Sequence, residues 1–193
     1  MGKIIKEFKH HIPFTAFASV VAVIFTIILL RFYSQEEIGP IFEILHPLHV
    51  VFSAFVTAAI YHKYKKGIFM ALLIGITGSV LIGSLSDIIF PWLGSLIFSL
   101  ETHFHLPIIE EPLIILSVAF VGSLVGIFMK KTEAPHLLHV FLSVFASLFY
   151  IVAYSANLTI SHLISSFIII FISVIIPCCF SDIIYPLLFV KKK

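Results

Sequence analysis

The sequence predicts an all-α membrane protein, with six transmembrane helices arranged as two inverted three-helix repeats and both the N- and C-termini cytoplasmic. Three observations predict this. Hydrophobic residues fill 60% of the 193 positions and charged residues only 11%, for a mean hydropathy of +1.15, whereas soluble domains carry about 25% charged residues. Lysines gather at alternate breaks between the apolar runs. The same short motifs recur in the two halves of the chain.

A spanning helix takes about 20 apolar residues, and the charged and proline-rich breaks divide the chain into segments 13–32, 41–62, 67–98, 112–129, 135–156 and 163–190. The first follows a basic start (Lys3, Lys6, Lys9) as a signal peptide does, but it runs into Arg31 without a small-residue cleavage site and reads as a retained helix. The third is long enough to tilt, to kink at Pro91 or to end in a short surface piece from Trp92 to Leu100. Gly75, Gly78 and Gly83 in it, and Gly122 and Gly126 in the fourth, allow close helix approach. Ser53, Ser79, Ser84, Ser143 and Ser147 serve the same packing role.

Orientation follows from the lysine bias. With the N-terminus inside, Lys3, Lys6, Lys9, Lys63, Lys65, Lys66, Lys130, Lys131, Lys191, Lys192 and Lys193 all fall on the cytoplasmic side and only Arg31 falls outside. Glu36, Glu37, Glu43, Glu101, Glu110 and Glu111 then lie in outer loops. The net charge of +2, carried in short clusters at segment ends, gives no nucleic-acid surface. Cys178 and Cys179 are adjacent in an apolar run, which excludes a disulfide framework.

The repeat is read from two gapless matches. HPLHVVFSAFVTAAIY from His46 aligns with HLLHVFLSVFASLFYI from His136, and SDIIFPWL from Ser86 with SDIIYPLL from Ser181. His-Ile-Pro at His11 and His-Leu-Pro at His105 give a weaker echo. Residues 1–98 form the first three-helix repeat, 99–111 an outer connecting loop and 112–193 the second repeat. Three helices per half reverse the direction of the second copy, and inverted repeats in transporters place the substrate near the midplane where they meet.

Histidines three apart on a helix project from one face, and ionisable groups inside an apolar span are costly unless they serve a partner, cavity or ion. His46, His49, Asp87, His136, His139 and Asp182 are therefore the expected metal ligands, converging on the midplane as one site or two half-sites, with Ser86 and Ser181 beside the aspartates. A mixed imidazole and carboxylate set suits a first-row divalent cation without choosing among manganese, zinc, iron and similar ions. Asp87 and Asp182 supply two negative charges for it, and protonation of imidazole or carboxylate is a means of release, with proton-coupled exchange as the corresponding hypothesis.

Cys178, four before Asp182, is either a small apolar residue or a thiolate favouring softer ions; its counterpart in the first repeat is Gly83. Glu101, His103, His105, Glu110 and Glu111 make either a solvated acidic loop or an outer metal vestibule. Pro47, Pro91, Pro177 and Pro186 stand near the ligands, where proline frees backbone carbonyls that can line an ion path. His62 and His162 sit at helix ends without counterparts and take no role.

HPLHV, LSDIIFP, ETHFH and LLHVFLSVFASLFY together resemble a prokaryotic family of ten-helix heavy-metal exporters, some members of which are labelled manganese transporters. The resemblance runs from about His46 onward and implies efflux of a divalent metal across the cell membrane, with His46, His49, Asp87, His136, His139 and Asp182 at the matching positions. The family has ten helices and this chain six, which leaves open a complete transporter in one chain, a homo-oligomer or a partner. No organic cofactor is implied. Two rival readings stand beside transport: an intramembrane metal-dependent hydrolase, which needs one asymmetric site with an activated water, and a non-transporting membrane subunit whose polar groups only bind helices together.

Overall fold

The computed structural model describes residues 2–129, 133–156, 158–179 and 184–190, with the backbone alone for 2–11, 133–135 and 179. Ser181, Asp182, Lys130, Lys131 and Lys191 to Lys193 lie outside the described residues, as do the side chains of Lys3, Lys6, Lys9 and Cys179.

Helices α1 (Gly2–Leu29), α2 (Gln35–Ile38), α3 (Phe42–Tyr64), α4 (Ile68–Ser84), α5 (Phe90–Ile97), α6 (Pro107–Glu110), α7 (Pro112–Phe128), α8 (Glu133–Tyr154), α9 (Ile160–Cys179) and α10 (Tyr185–Leu188) follow in chain order. Among the described residues there is no strand, only an isolated bridge between Thr102 and Ser155. Among the described residues, five helical stretches are long and apolar enough to cross a membrane: Ile12–Leu29, Gln35–Tyr64, Ile68–Ile97, His136–Tyr154 and Ile160–Cys178. Pro112–Phe128 is apolar but shorter, at 17 residues.

The surface is what a lipid-facing protein requires. Along α9, Ile160, Ile164, Ile168, Ile172 and Ile176 are exposed at every fourth position, while Ser166, Ile170, Ser173, Val174 and Cys178 turn inward. Helical periodicity thus points one face of each span at hydrocarbon and places the polar groups in the bundle.

Packing is interleaved between the two halves. α7, the first long helix of the second half, packs on α3 and α4 of the first; α1 packs on α8 and α9 of the second; α3 and α8 meet each other. The α3–α7 contact is very close. A Cβ on Gly122 would meet the carbonyl oxygen of Val51, and one on Gly126 that of Phe55. Small residues at Gly122 and Gly126 let the backbones touch, while Gly75 makes room for the side chains of Ser123 and Ala58. Val50, Ala54, Ile115 and Ala119 fill the rest of that interface.

The third apolar segment does not end at Pro91. Helix α4 passes through a π-helical turn, Leu85–Ile89, directly into α5, which contains Pro91, so no separate surface piece begins at Trp92. At the end of the bundle carrying Glu43, the connection after α5 is tied down. Trp92 Nε1 donates to the carbonyl of Thr102 and His103 N to that of Tyr154; at the same end Gln35 of α2 donates its Nε2 to the carbonyls of Val152 and Ser155. Lys63, Lys65 and Lys66 are exposed at the opposite end of α3.

The close approach at Gly126 is testable. Gly126→Val overpacks α7 against backbone that cannot yield, at a cost of about 1–3 kcal/mol, and lowers the thermal midpoint in detergent. Val121→Leu, on an exposed position of the same helix, leaves it unchanged. Equal midpoints for both variants would show that α7 and α3 are further apart than described.

Candidate metal centre

The π-helical turn presents Ser86 and Asp87 to the middle of the bundle, about 15 Å along the axis from the end of α5. Its backbone explains how Pro91 is accommodated. In the i→i+5 register, shown by Phe90 N bonding Leu85 O, the carbonyl of Ser86 would take its bond from residue 91, and proline has no N–H. Ser147 of α8 supplies the donor instead, its single hydroxyl proton shared between Ser86 O at 2.9 Å and its own helix's Ser143 O at 2.6 Å. A side chain from the other half thus completes the irregular turn, as backbone at membrane depth requires.

Asp87 is fully buried and accepts from four donors. His46 Nδ1 lies 2.9 Å and His49 Nδ1 2.6 Å from Oδ2, while Ser86 Oγ lies 2.7 Å and Ser143 Oγ 2.9 Å from Oδ1. An ionised carboxylate satisfies all four, whereas a protonated acid would have to turn its own O–H toward one of them. Both imidazoles then carry their proton on Nδ1, which leaves Nε2 with the lone pair. Histidines that bind metals commonly donate their other nitrogen to a carboxylate in this way.

His46 and His49 come from one face of α3, three residues apart, and His46 stacks on Phe42 one turn earlier, with ring centroids 5.5 Å apart. Across the bundle His139 of α8 meets His49 edge to face at 4.7 Å. Cys178 of α9 brings its Sγ to 3.6 Å from Ser143 Oγ. Among the described residues two groups of ligand-capable atoms result, each within 4.8 Å of one another: His46, His49 and Asp87, and His49, His139 and Cys178. His49 belongs to both. All five residues are at most 2% exposed, and His49 Nε2 has no hydrogen-bond partner among the described residues.

Against the expected ligand set, His46, His49, Asp87 and His139 converge. His136 is partly exposed and stacks on His139 at 6.2 Å, outside both groups. Ser86 is a donor to Asp87, while Ser181 and Asp182 lie outside the described residues. Gly83, the repeat counterpart of Cys178, faces the same chemistry in its own half: a Cβ there would lie 3.6 Å from His46 Cε1 and 3.9 Å from His49 Nδ1.

The outer connection gathers only in part. His105 bridges Glu110 (2.9 Å) and Glu43 (3.5 Å) and stacks on Tyr154, whose hydroxyl bonds Glu43. Glu101, His103 and Glu111 are not part of that cluster; Glu101 and Glu111 are exposed. Glu43 was not expected there; an acidic residue one turn before His46 was the available signal. Ser143 and Ser147, expected chiefly to pack, are polar members of the centre. Their signal was the repeat match that sets Ser143 opposite Ser53.

The fold and its buried polar centre define a multi-pass, all-helical membrane protein. No protein-family model, curated protein or solved structure matches the chain.

The proline account predicts a coupling. Ser147→Ala strips the Ser86 carbonyl of its donor and costs about 1 kcal/mol or more; in a Pro91→Ala background, where residue 91 regains an N–H, the same change costs less than half as much. Thermal melts of the four variants measure the cycle, and equal losses in both backgrounds would contradict the account.

Proposed function

We propose that this protein is an integral membrane transporter, and by its resemblance an exporter, of a divalent transition-metal cation, which it holds at the buried centre around His49. The observation that carries the reading is the sharing of His49 between two ligand groups. One lies within the first half, and the other joins His49 to His139 and Cys178 of the second half. An ion held there touches both halves at once, and rocking one half against the other is how inverted-repeat transporters alternate access.

The interleaved packing, in which the first long helix of each half lies on the second and third of the other, supports the inverted repeat. Pro112–Phe128, about 25 Å long by helix rise, is the proposed sixth span. The lysines after α3 at one end, and Glu43 with Glu110 at the other, support a cytoplasmic placement of the lysine end. The His105 cluster lies on the side from which Phe42 leads to His46, where an outer vestibule belongs. The hydrolase reading fits less well, because both oxygens of Asp87 are already engaged and no carboxylate is left in the described centre to activate a water.

Elemental analysis of the purified protein, followed by flux into liposomes of the metal found, tests the proposal. Wild type carries or takes up a divalent transition metal; His49→Ala removes binding and flux together, and His139→Ala weakens both. Flux is expected to respond to an imposed pH gradient. A wild type that is metal-free and takes up no divalent ion on titration would overturn the reading, and loss of fold without change in bound metal would favour a structural subunit.

A further inference from the structure

Resting on the reading of the centre as a metal site, we infer that its tight site is the group His49, His139 and Cys178, and that it selects a thiophilic divalent cation of the zinc or cadmium type over manganese.

The argument starts from the occupancy of Asp87. Its two oxygens take four hydrogen bonds, and an ion bound directly to them would have to displace the imidazole protons that hold His46 and His49 in place. The atom of His49 able to bind without disturbing Asp87 is Nε2, which is buried and has no hydrogen-bond partner among the described residues. The residues outside the Asp87 group whose ligand atoms come within 4.8 Å of His49's are His139 and Cys178. Two imidazoles and a thiolate make a three-ligand set with room for a fourth, which suits tetrahedral ions such as zinc. The thiolate favours soft or borderline metals, whereas manganese prefers oxygen ligands.

Charge points the same way. A dication in a low-dielectric bundle needs two nearby negative charges. Among the described residues of the centre Asp87 supplies one, and Cys178 supplies the second once the metal displaces its proton, one H⁺ leaving per ion bound. Gly83 stands at the equivalent place beside His46 and His49, so the sulfur ligand occurs in one half only and makes the two half-sites chemically unequal.

Cobalt(II) titration of the purified full-length protein in detergent, with Cd²⁺ and Mn²⁺ competition, tests this. Wild type shows a near-ultraviolet thiolate-to-cobalt charge-transfer band and binds Cd²⁺ more tightly than Mn²⁺. Cys178→Ser loses the band and weakens Cd²⁺ roughly tenfold or more, while Mn²⁺ affinity changes little; Cys179→Ser keeps the band. The wild-type band and its survival in Cys179→Ser decide the matter even if Cys178→Ser fails to fold. Cobalt bound without the band, with Cys178→Ser unaltered, would overturn the thiolate site and leave the transporter reading standing. No cobalt, cadmium or manganese bound to wild type would overturn both.

Discussion

A carboxylate at the centre of an apolar bundle is tolerated only where its lone pairs are taken up by donors fixed in place, and the arrangement around Asp87 sets much of the surrounding structure. His46 and His49 must stand on one face of α3, Ser86 must precede Asp87 in the π-helical turn, and Ser143 must come from α8 in the other half. The turn in turn depends on Ser147, which serves the carbonyl that Pro91 cannot. The polar core therefore joins the two halves as firmly as the apolar contacts around it do.

That join has a consequence for the imidazoles. With Nδ1 of both histidines directed to one oxygen, the orientation of their outer nitrogens is set, and the energetic cost of orienting them is already met in the folded protein. The glycine-mediated contact of α7 with α3 fixes α3 from the opposite side, so the histidine-bearing helix is held between a backbone-to-backbone contact and a hydrogen-bonded carboxylate. Such rigidity is what the proposed metal site would need.

Much of this was legible in the sequence because the signals are strong in an apolar chain. Segment lengths matched the middle long helices to within a few residues, but α1 begins at Gly2, well before the expected 13, and α9 is described only to Cys179; the His-x-x-His and Ser-Asp motifs singled out His46, His49, Asp87 and His139, which the fold brings together. Gly122 and Gly126 gave the tight interface. Other features were not legible, for identifiable reasons. A serine among many serines in apolar helices carries no mark of its partner, so Ser143 and Ser147 read as packing. A π-helical turn has the same residue pattern as an α-helix interrupted by proline, so Pro91 read as a kink or an end. Cys178 acquires its meaning only from the contact of α9 with α8 and α3, which no spacing within one helix reveals. His136 matches His46 in the sequence alignment of the two halves but is partly exposed where His46 is buried, a difference that the matching letters do not carry.

The central claim is that His49 is the shared ligand of a buried divalent-metal site. Anomalous X-ray diffraction from crystals soaked in zinc, collected on both sides of the metal's absorption edge, tests it most directly. The account predicts an anomalous peak within coordinating distance of His49 and His139. Zinc bound only at His105 with Glu43 and Glu110, or no ordered zinc in the bundle at all, would contradict it.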